Sequence, residues 1–295
     1  MQEGGRRVED RRFRFGGTVL PLGRRTYIMG ILNVTPDSFS DGGAWLDPAA
    51  AVAHARAMVA EGAVLIDVGG ESTRPGHVPV PLEEEWRRVA PVLERLLDEP
   101  ALAGVGISLD TRKPEVARRA LRLGVPIIND VEGFRDPAMV EAVADSSAGL
   151  VMMFNRPRPY PPGAVDPAAM RQTLEERTRT MERAGIAAER ILWDPGLGFA
   201  YAVEDNWTVL RSLTVFGGGP AGLLLGPSRK RFLGALLDRP RPPERDVATA
   251  AVAALAVAAG VDVVRVHNVA VTRDAVAVAD AWYRGRQPQE AGGGT

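Results

Sequence analysis

The chain has 295 residues, 45% hydrophobic and 25% charged, which is enough apolar mass to bury a full core. Its net charge of −1 excludes general nucleic-acid or anionic-membrane binding, and the absence of cysteine excludes disulfides, thiolate metal sites and thiol nucleophiles. The longest apolar run, Ala250 to Val261, is too short to span a bilayer. The opening residues mix Arg with Glu3, Glu9 and Asp10, unlike a signal or transit peptide, so a cytoplasmic protein is expected.

Within an N-terminal extension of residues 1–26, Phe13 to Gly23 reads as a hairpin turning at Gly16-Gly17, placed to plug one end of a larger domain. From Tyr27 the pattern repeats: short apolar strand, polar loop, helix. Strands are predicted at 27–33, 63–68, 105–110, 126–130, 149–154, 190–194, 221–226 and 262–267. Helices are predicted at 48–61, 82–97, 114–123, 136–146, 167–184, 203–213, 244–259 and 272–284. Asp47-Pro48, Lys113-Pro114, Asp136-Pro137 and Asp166-Pro167 mark helix starts. Eight strands alternating with eight helices predict a closed (β/α)8 TIM barrel over 27–284, with 285–295 a disordered Gly-rich tail. An open doubly wound sheet would carry a Gly-rich dinucleotide turn after its first strand. None is present.

The strand ends are polar: Asn33, Asp67 with Glu71, Asp110, Asn129 with Asp130, Asn155, Asp194, Ser228 to Lys230, and Arg265 with His267. Any one of them serves equally well as a cap or turn former. A closed barrel nevertheless gathers all eight ends into one cup. Arg265 and His267 share a strand face and, with the Ser72-Thr73-Arg74-Pro75-Gly76 loop, suit an anion such as a diphosphate. Asp110, Asn129 and Asp194, with Lys230 above them, suit the edge of a flat, nitrogen-rich ring. His54, His77 and His267 are too dispersed for a transition-metal site, whereas Mg2+ held by Asn33 and substrate phosphates is expected. A glycosidase pair of Asp110 and Asp194 is the rival reading, but Lys230 and Arg265 beside them favour an anionic substrate. Only Lys113 and Lys230 are lysine among 36 basic residues, which marks both as places where a compact ammonium is wanted.

Taken together, Asn33-Val-Thr-Pro-Asp-Ser-Phe-Ser-Asp-Gly-Gly43, Asp67-Val-Gly-Gly-Glu-Ser-Thr-Arg-Pro-Gly76, Ser108-Leu-Asp-Thr-Arg-Lys-Pro114, Ile128-Asn-Asp-Val131, Asp194-Pro-Gly-Leu-Gly-Phe199, Ser228-Arg-Lys230 and Arg265-Val-His267 resemble, in order, the signature blocks of dihydropteroate synthase. The likeness runs from about Tyr27 to Trp282. It implies an enzyme that condenses para-aminobenzoate with 7,8-dihydropterin-6-ylmethyl diphosphate. By that resemblance Asp110, Asn129, Asp194 and Lys230 hold the pterin, while Thr73, Arg265 and His267 hold the diphosphate and Asn33 places Mg2+. Phe39, Arg74, Pro75, Phe199 and Arg231 shape the aminobenzoate pocket once the loops after the first two barrel strands close. Asp110, Lys230, Arg265 and His267 carry the catalytic roles.

Four places depart from the family pattern. Met153-Phe154-Asn155 stands for Met-His-Met, and Gly198-Phe199-Ala200-Tyr201 for Gly-Phe-Gly-Lys. Arg231 stands for Ser and Asn268 for Asp. Arg231 either binds the aminobenzoate carboxylate as Ser does or narrows the pocket, which bears on sulfonamide affinity. A non-catalytic pterin-binding paralogue and a pterin-dependent methyltransferase are the alternatives. The Ala-rich helix near 247–259 is expected to face a second subunit as well as the barrel, as in a homodimer.

Overall fold

The computed structural model describes residues 11–35, 47–71, 79–217 and 219–285. Strands β1 (Arg12–Phe15) and β2 (Thr18–Pro21) form an antiparallel hairpin across Gly16-Gly17. Eight further strands, β3 (Tyr27–Asn33), β4 (Leu65–Gly69), β5 (Gly106–Asp110), β6 (Ile127–Asp130), β7 (Gly149–Met153), β8 (Ile191–Asp194), β9 (Gly222–Leu225) and β10 (Val263–Val266), run parallel and close into a barrel in chain order. Around them lie α1 (Pro48–Ala60), α2 (Leu82–Asp98), α3 (Pro114–Leu123), α4 (Pro137–Ala144), α5 (Pro167–Arg183), α6 (Asp205–Arg211), α7 (Arg231–Leu237), α8 (Asp246–Ala258) and α9 (Val269–Arg284). Among the described residues no helix is long and apolar enough to cross a membrane.

Local chemistry explains most of the boundaries. Asp47, Asp136 and Asp166 each accept a backbone N–H from the first turn that follows, at 2.9 to 3.0 Å, ahead of a proline whose fixed φ suits that turn. Lys113 does not cap its helix. The last helix begins three residues before its predicted start because the Asn268 side chain accepts from the Val271 N–H. Helix α7 is absent from the prediction altogether: it has seven residues, a glycine inside, and no side-chain cap before it. Residues 286–295 of the predicted tail and the first ten residues lie outside the described residues.

Inside the barrel, alternate residues of each strand point inward. The lower inward positions are apolar: Tyr27, Met29, Leu65, Ile127, Val151, Leu192, Leu224 and Val263 form one cluster with Phe13, Phe15 and Leu22 of the hairpin segment. The hairpin therefore plugs the N-terminal end, as the sequence predicts. Glycine makes room for the plug: a Cβ on Gly149 would stand 2.5 Å from the Phe13 ring, and one on Gly222 would stand 2.6 Å from Leu22. Arg11 ties the plug to the barrel through two 2.9 Å bonds to buried Asp262. The upper inward positions are polar, and they form the mouth.

Because Phe13 is wholly buried against backbone that cannot follow it, Phe13→Ala is expected to cost about 3–5 kcal/mol. A urea unfolding midpoint that does not move would show that the hairpin is dispensable.

Candidate active site

Each polar group at the mouth arrives by strand register. Asn33 pairs with Gly69, Gly69 with Asp110, and Asp110 with Asn129, so these positions share one level. Asp67 sits two residues earlier on β4, directly below Gly69, which has no side chain to cover it. The Asn129 amide donates to Asp67 Oδ2 at 3.0 Å. From β10, Arg265 donates through Nε to Asp67 Oδ2 at 2.5 Å and through Nη2 to Asp110 Oδ2 at 2.9 Å.

These groups are nearly dry. Asp67, Asp110, Asn129 and Asp194 are all buried, and Asp67 Oδ1 and Asp110 Oδ1 have no hydrogen-bond partner among the described residues. Burial pushes the Asp110 carboxyl up to about 8 against the pull of Arg265, with Asp67, Glu85 and Asp130 adding to the rise. Burial also raises Asp194 to about 6, although the Gly196 N–H at 2.8 Å, Lys230 and Arg265 all favour its ionised form. A cup of under-satisfied acceptors with a guanidinium at its wall suits a ligand edge rich in N–H donors.

Two further groups of side chains face the mouth. His267 Nδ1 lies 2.8 Å from the Ser228 hydroxyl, which also accepts the His267 N–H at 3.1 Å, and His267 Nε2 lies 3.5 Å from the Asn33 amide. Asn33, Ser228 and His267 are thus gathered in one place. The Lys230 ammonium stands 4.3 Å from the centre of the Phe199 ring, its stem packed on Gly198. The loop carrying Lys230 is held from behind. Arg229, at φ 58°, bonds Asp246 through two contacts of 2.7 and 2.9 Å, and Asn268 donates to the same carboxylate at 3.1 Å. An aspartate at position 268 would instead face Asp246 with like charge, so the asparagine suits this chain.

Other predicted rim residues serve their own turns. Asp130 accepts from the N–H groups of Glu132 and Phe134, and Asn155 bridges Val131 and Arg156. Glu71 pairs with Arg112 and Lys113. Arg231 is exposed on the first residue of α7. Phe154 is buried, stacked at 6.3 Å on Tyr160, whose N–H reaches the Ala200 carbonyl at 2.8 Å; Tyr201 is buried and donates to the Pro195 carbonyl at 3.3 Å. The loops after β7 and β8 are joined by these contacts. Phe39, Thr73, Arg74, Pro75 and His77 lie outside the described residues. Asp67 is the site residue to which the sequence reading assigns no role, although its charge inside the apolar run Leu65-Ile-Asp-Val-Gly69 was the available signal.

A family model described as "Pterin binding enzyme" matches residues 29–267. A dihydropteroate synthase from Bacillus subtilis is 44% identical over 254 residues, covering 85% of this chain and 87% of that protein. The Burkholderia cenocepacia dihydropteroate synthase, solved with 7,8-dihydropteroate, superposes with a TM-score of 0.83 at 40% identity, covering 93% of this chain and 97% of that one. The Xanthomonas albilineans enzyme, solved with 4-aminobenzoic acid, gives 0.83 at 44% identity, covering 90% and 96%. On fold, mouth chemistry and these likenesses together, the chain belongs to the dihydropteroate synthase family of pterin-binding enzymes.

Proposed function

We propose that this chain joins para-aminobenzoate to 7,8-dihydropterin-6-ylmethyl diphosphate, giving 7,8-dihydropteroate and diphosphate. The observation that carries the reading is the pair of buried, unpartnered acceptor oxygens on Asp67 and Asp110 beside Arg265. A glycosidase reading would need one carboxylate open to water, and it accounts for neither Arg265 nor Lys230. Non-catalytic and methyltransferase readings are not favoured, because relatives more than 40% identical over most of the chain are dihydropteroate synthases.

Under this reading Asp110, Asn129 and Asp194 take the N–H and carbonyl edge of the pterin, and Lys230 reaches it from the Phe199 side. Arg265 keeps donors beyond the two it gives to Asp67 and Asp110, and these meet a diphosphate oxygen together with His267, held by Ser228. The C–O bond to the diphosphate breaks with its electron pair leaving on the diphosphate, and the amine nitrogen then bonds the electron-poor methylene carbon and loses a proton. Positive charge left on the pterin is stabilised at short range by Asp110 and Asp194, and negative charge on the departing group by Arg265 and His267. No side chain has to act as a nucleophile.

Mg2+ fits the donors present. Asn33 supplies a hard oxygen at the mouth, and among the described residues no three His, Asp or Glu side chains could cage an ion without the substrate. Held by Asn33 and the diphosphate, the ion would neutralise charge on the leaving group.

Helices α8 and α9 expose Val247, Leu255, Val278 and Trp282, which supports a homodimer through this face. Sedimentation at micromolar concentration should give a dimer, and Leu255→Glu with Trp282→Ala should give a monomer. A wild-type monomer would remove this part of the reading.

Diphosphate release should depend on para-aminobenzoate and fall by roughly a hundredfold or more in Lys230→Ala. Tight pterin binding without amine-dependent release would defeat the synthase reading. A second test follows from charge. Pterin N–H donors need ionised acceptors, so binding removes protons from Asp110 and Asp194, whose ionisation lies near 8 and 6. Pterin affinity should therefore rise with pH across that window, with proton release visible in calorimetry between two buffers. In Asp110→Asn the upper part of the slope should vanish. An affinity that falls as pH rises would contradict this account.

A further inference from the structure

Lys113 is the other of the chain's two lysines beside Lys230, and nothing in the reaction uses it. Its ammonium contacts both Glu71, just beyond β4, and Glu85, in the first turn of α2. Glu85 is 1% exposed, and Glu71 is also buried and takes a second cation, Arg112, at 3.0 Å. The other oxygen of Glu85 accepts the Thr111 hydroxyl at 2.5 Å, and that hydroxyl accepts the Lys113 N–H at 3.2 Å. Thr111 is the residue next to Asp110, and its own N–H bonds the Asn129 carbonyl at 3.0 Å. Close approach of α2 makes the cluster possible: a Cβ on Gly70 would stand 2.6 Å from Val89 and 3.2 Å from the Glu85 stem.

We propose that Lys113 is a positioning residue for Asp110, its ammonium drawing Glu71 and Glu85 together so that Glu85 clamps Thr111 and thereby sets the carboxylate at the end of β5. Two buried carboxylates this close repel each other unless one cation lies between them, and an unpaired buried charge is costly. Without the ammonium, the two carboxylates move apart, and the clamp on Thr111 slackens. A compact, three-donor head suits a point between two acceptors, which explains a lysine where this chain otherwise uses arginine. The inference rests on the reading of Asp110 as a pterin acceptor.

The test is calorimetric titration of the full chain with the pterin diphosphate and Mg2+, without amine, alongside steady-state kinetics. Lys113→Met is expected to weaken the pterin about tenfold and raise its KM while leaving the aminobenzoate KM unchanged, and Lys113→Arg, which keeps the charge without the compact head, should recover only part of the loss. Thr111→Val removes the clamped hydroxyl without touching a charge and should weaken the pterin in the same selective way, so it decides the matter should Lys113→Met fail to fold. Pterin affinity within about twofold of wild type in both variants, with Asp110→Asn losing it, would overturn the positioning role alone. Equal rises in both KM values would also overturn it, as general loosening. Wild-type pterin affinity in Asp110→Asn would instead overturn the assignment of the pterin site itself.

Discussion

Asp67, Asp110 and Asp194 rise from three strands into a space that water barely reaches, and one guanidinium lies between the first two. Burying a carboxylate is unfavourable unless hydrogen bonds and counter-charge replace the lost water. Arg265 supplies part of that replacement. It leaves one oxygen of Asp67 and one of Asp110 without partners, and it leaves Asp110 prone to hold a proton. The mouth is therefore an acceptor surface already stripped of solvent, and a flat ring bearing N–H groups completes it. Folding has borne the desolvation cost before the ligand arrives, so the ligand's own hydrogen bonds go into affinity and orientation.

The barrel makes this arrangement possible by dividing its interior in two. Below, inward residues such as Met29, Leu65, Leu192 and Leu224 pack around Phe13, Phe15 and Leu22, and this apolar layer supplies the hydrophobic stabilisation that the polar layer lacks. Above, the same alternation of strand residues delivers Asn33, Asp67, Asp110, Asn129, Asp194 and Arg265. A one-residue slip in any strand would exchange its inward and outward sets, so plug and mouth share a single register constraint.

That shared register explains what could be read in advance. Short apolar runs, proline-bounded helix starts and polar strand ends are local signals, so the eight barrel strands and residues such as Asn33, Asp110, Asn129 and Asp194 were visible in the sequence. Helix α7 was not, because seven residues interrupted by Gly234 leave no periodicity to detect. The engagement of Arg265 was also hidden: its partners are 198 and 155 residues away in the chain. Asp130 and Asn155 have the composition of site residues but serve as turn formers, a distinction that needs their backbone partners to be seen. The departures at Phe154, Ala200 and Tyr201 look like isolated losses in sequence. In space Phe154 and Ala200 meet through Tyr160, which joins the two loops, while the neighbouring Tyr201 bonds back to Pro195 within its own loop.

The same contact bears on the chemistry through Phe199. The loop after β8 is fixed at Gly196 by Asp194, at Gly198 by the Asn206 amide oxygen at 2.8 Å, and at Ala200 by Tyr160. Phe199 lies between these anchors and carries Lys230 over its face. Lys230, assigned to the pterin, therefore rests on Phe199, assigned to the amine, whose loop is anchored at three backbone positions. In the proposed reaction no side chain acts as nucleophile, so beside charge stabilisation the rate depends on how closely the two reacting atoms are brought together, and rigid placement of neighbouring subsites is one means a barrel mouth has for doing that. Replacing the pattern's His and Lys with Phe154 and Tyr201 exchanges polar groups for buried aromatic side chains on the two neighbouring loops, after β7 and β8, that the Tyr160 to Ala200 bond joins.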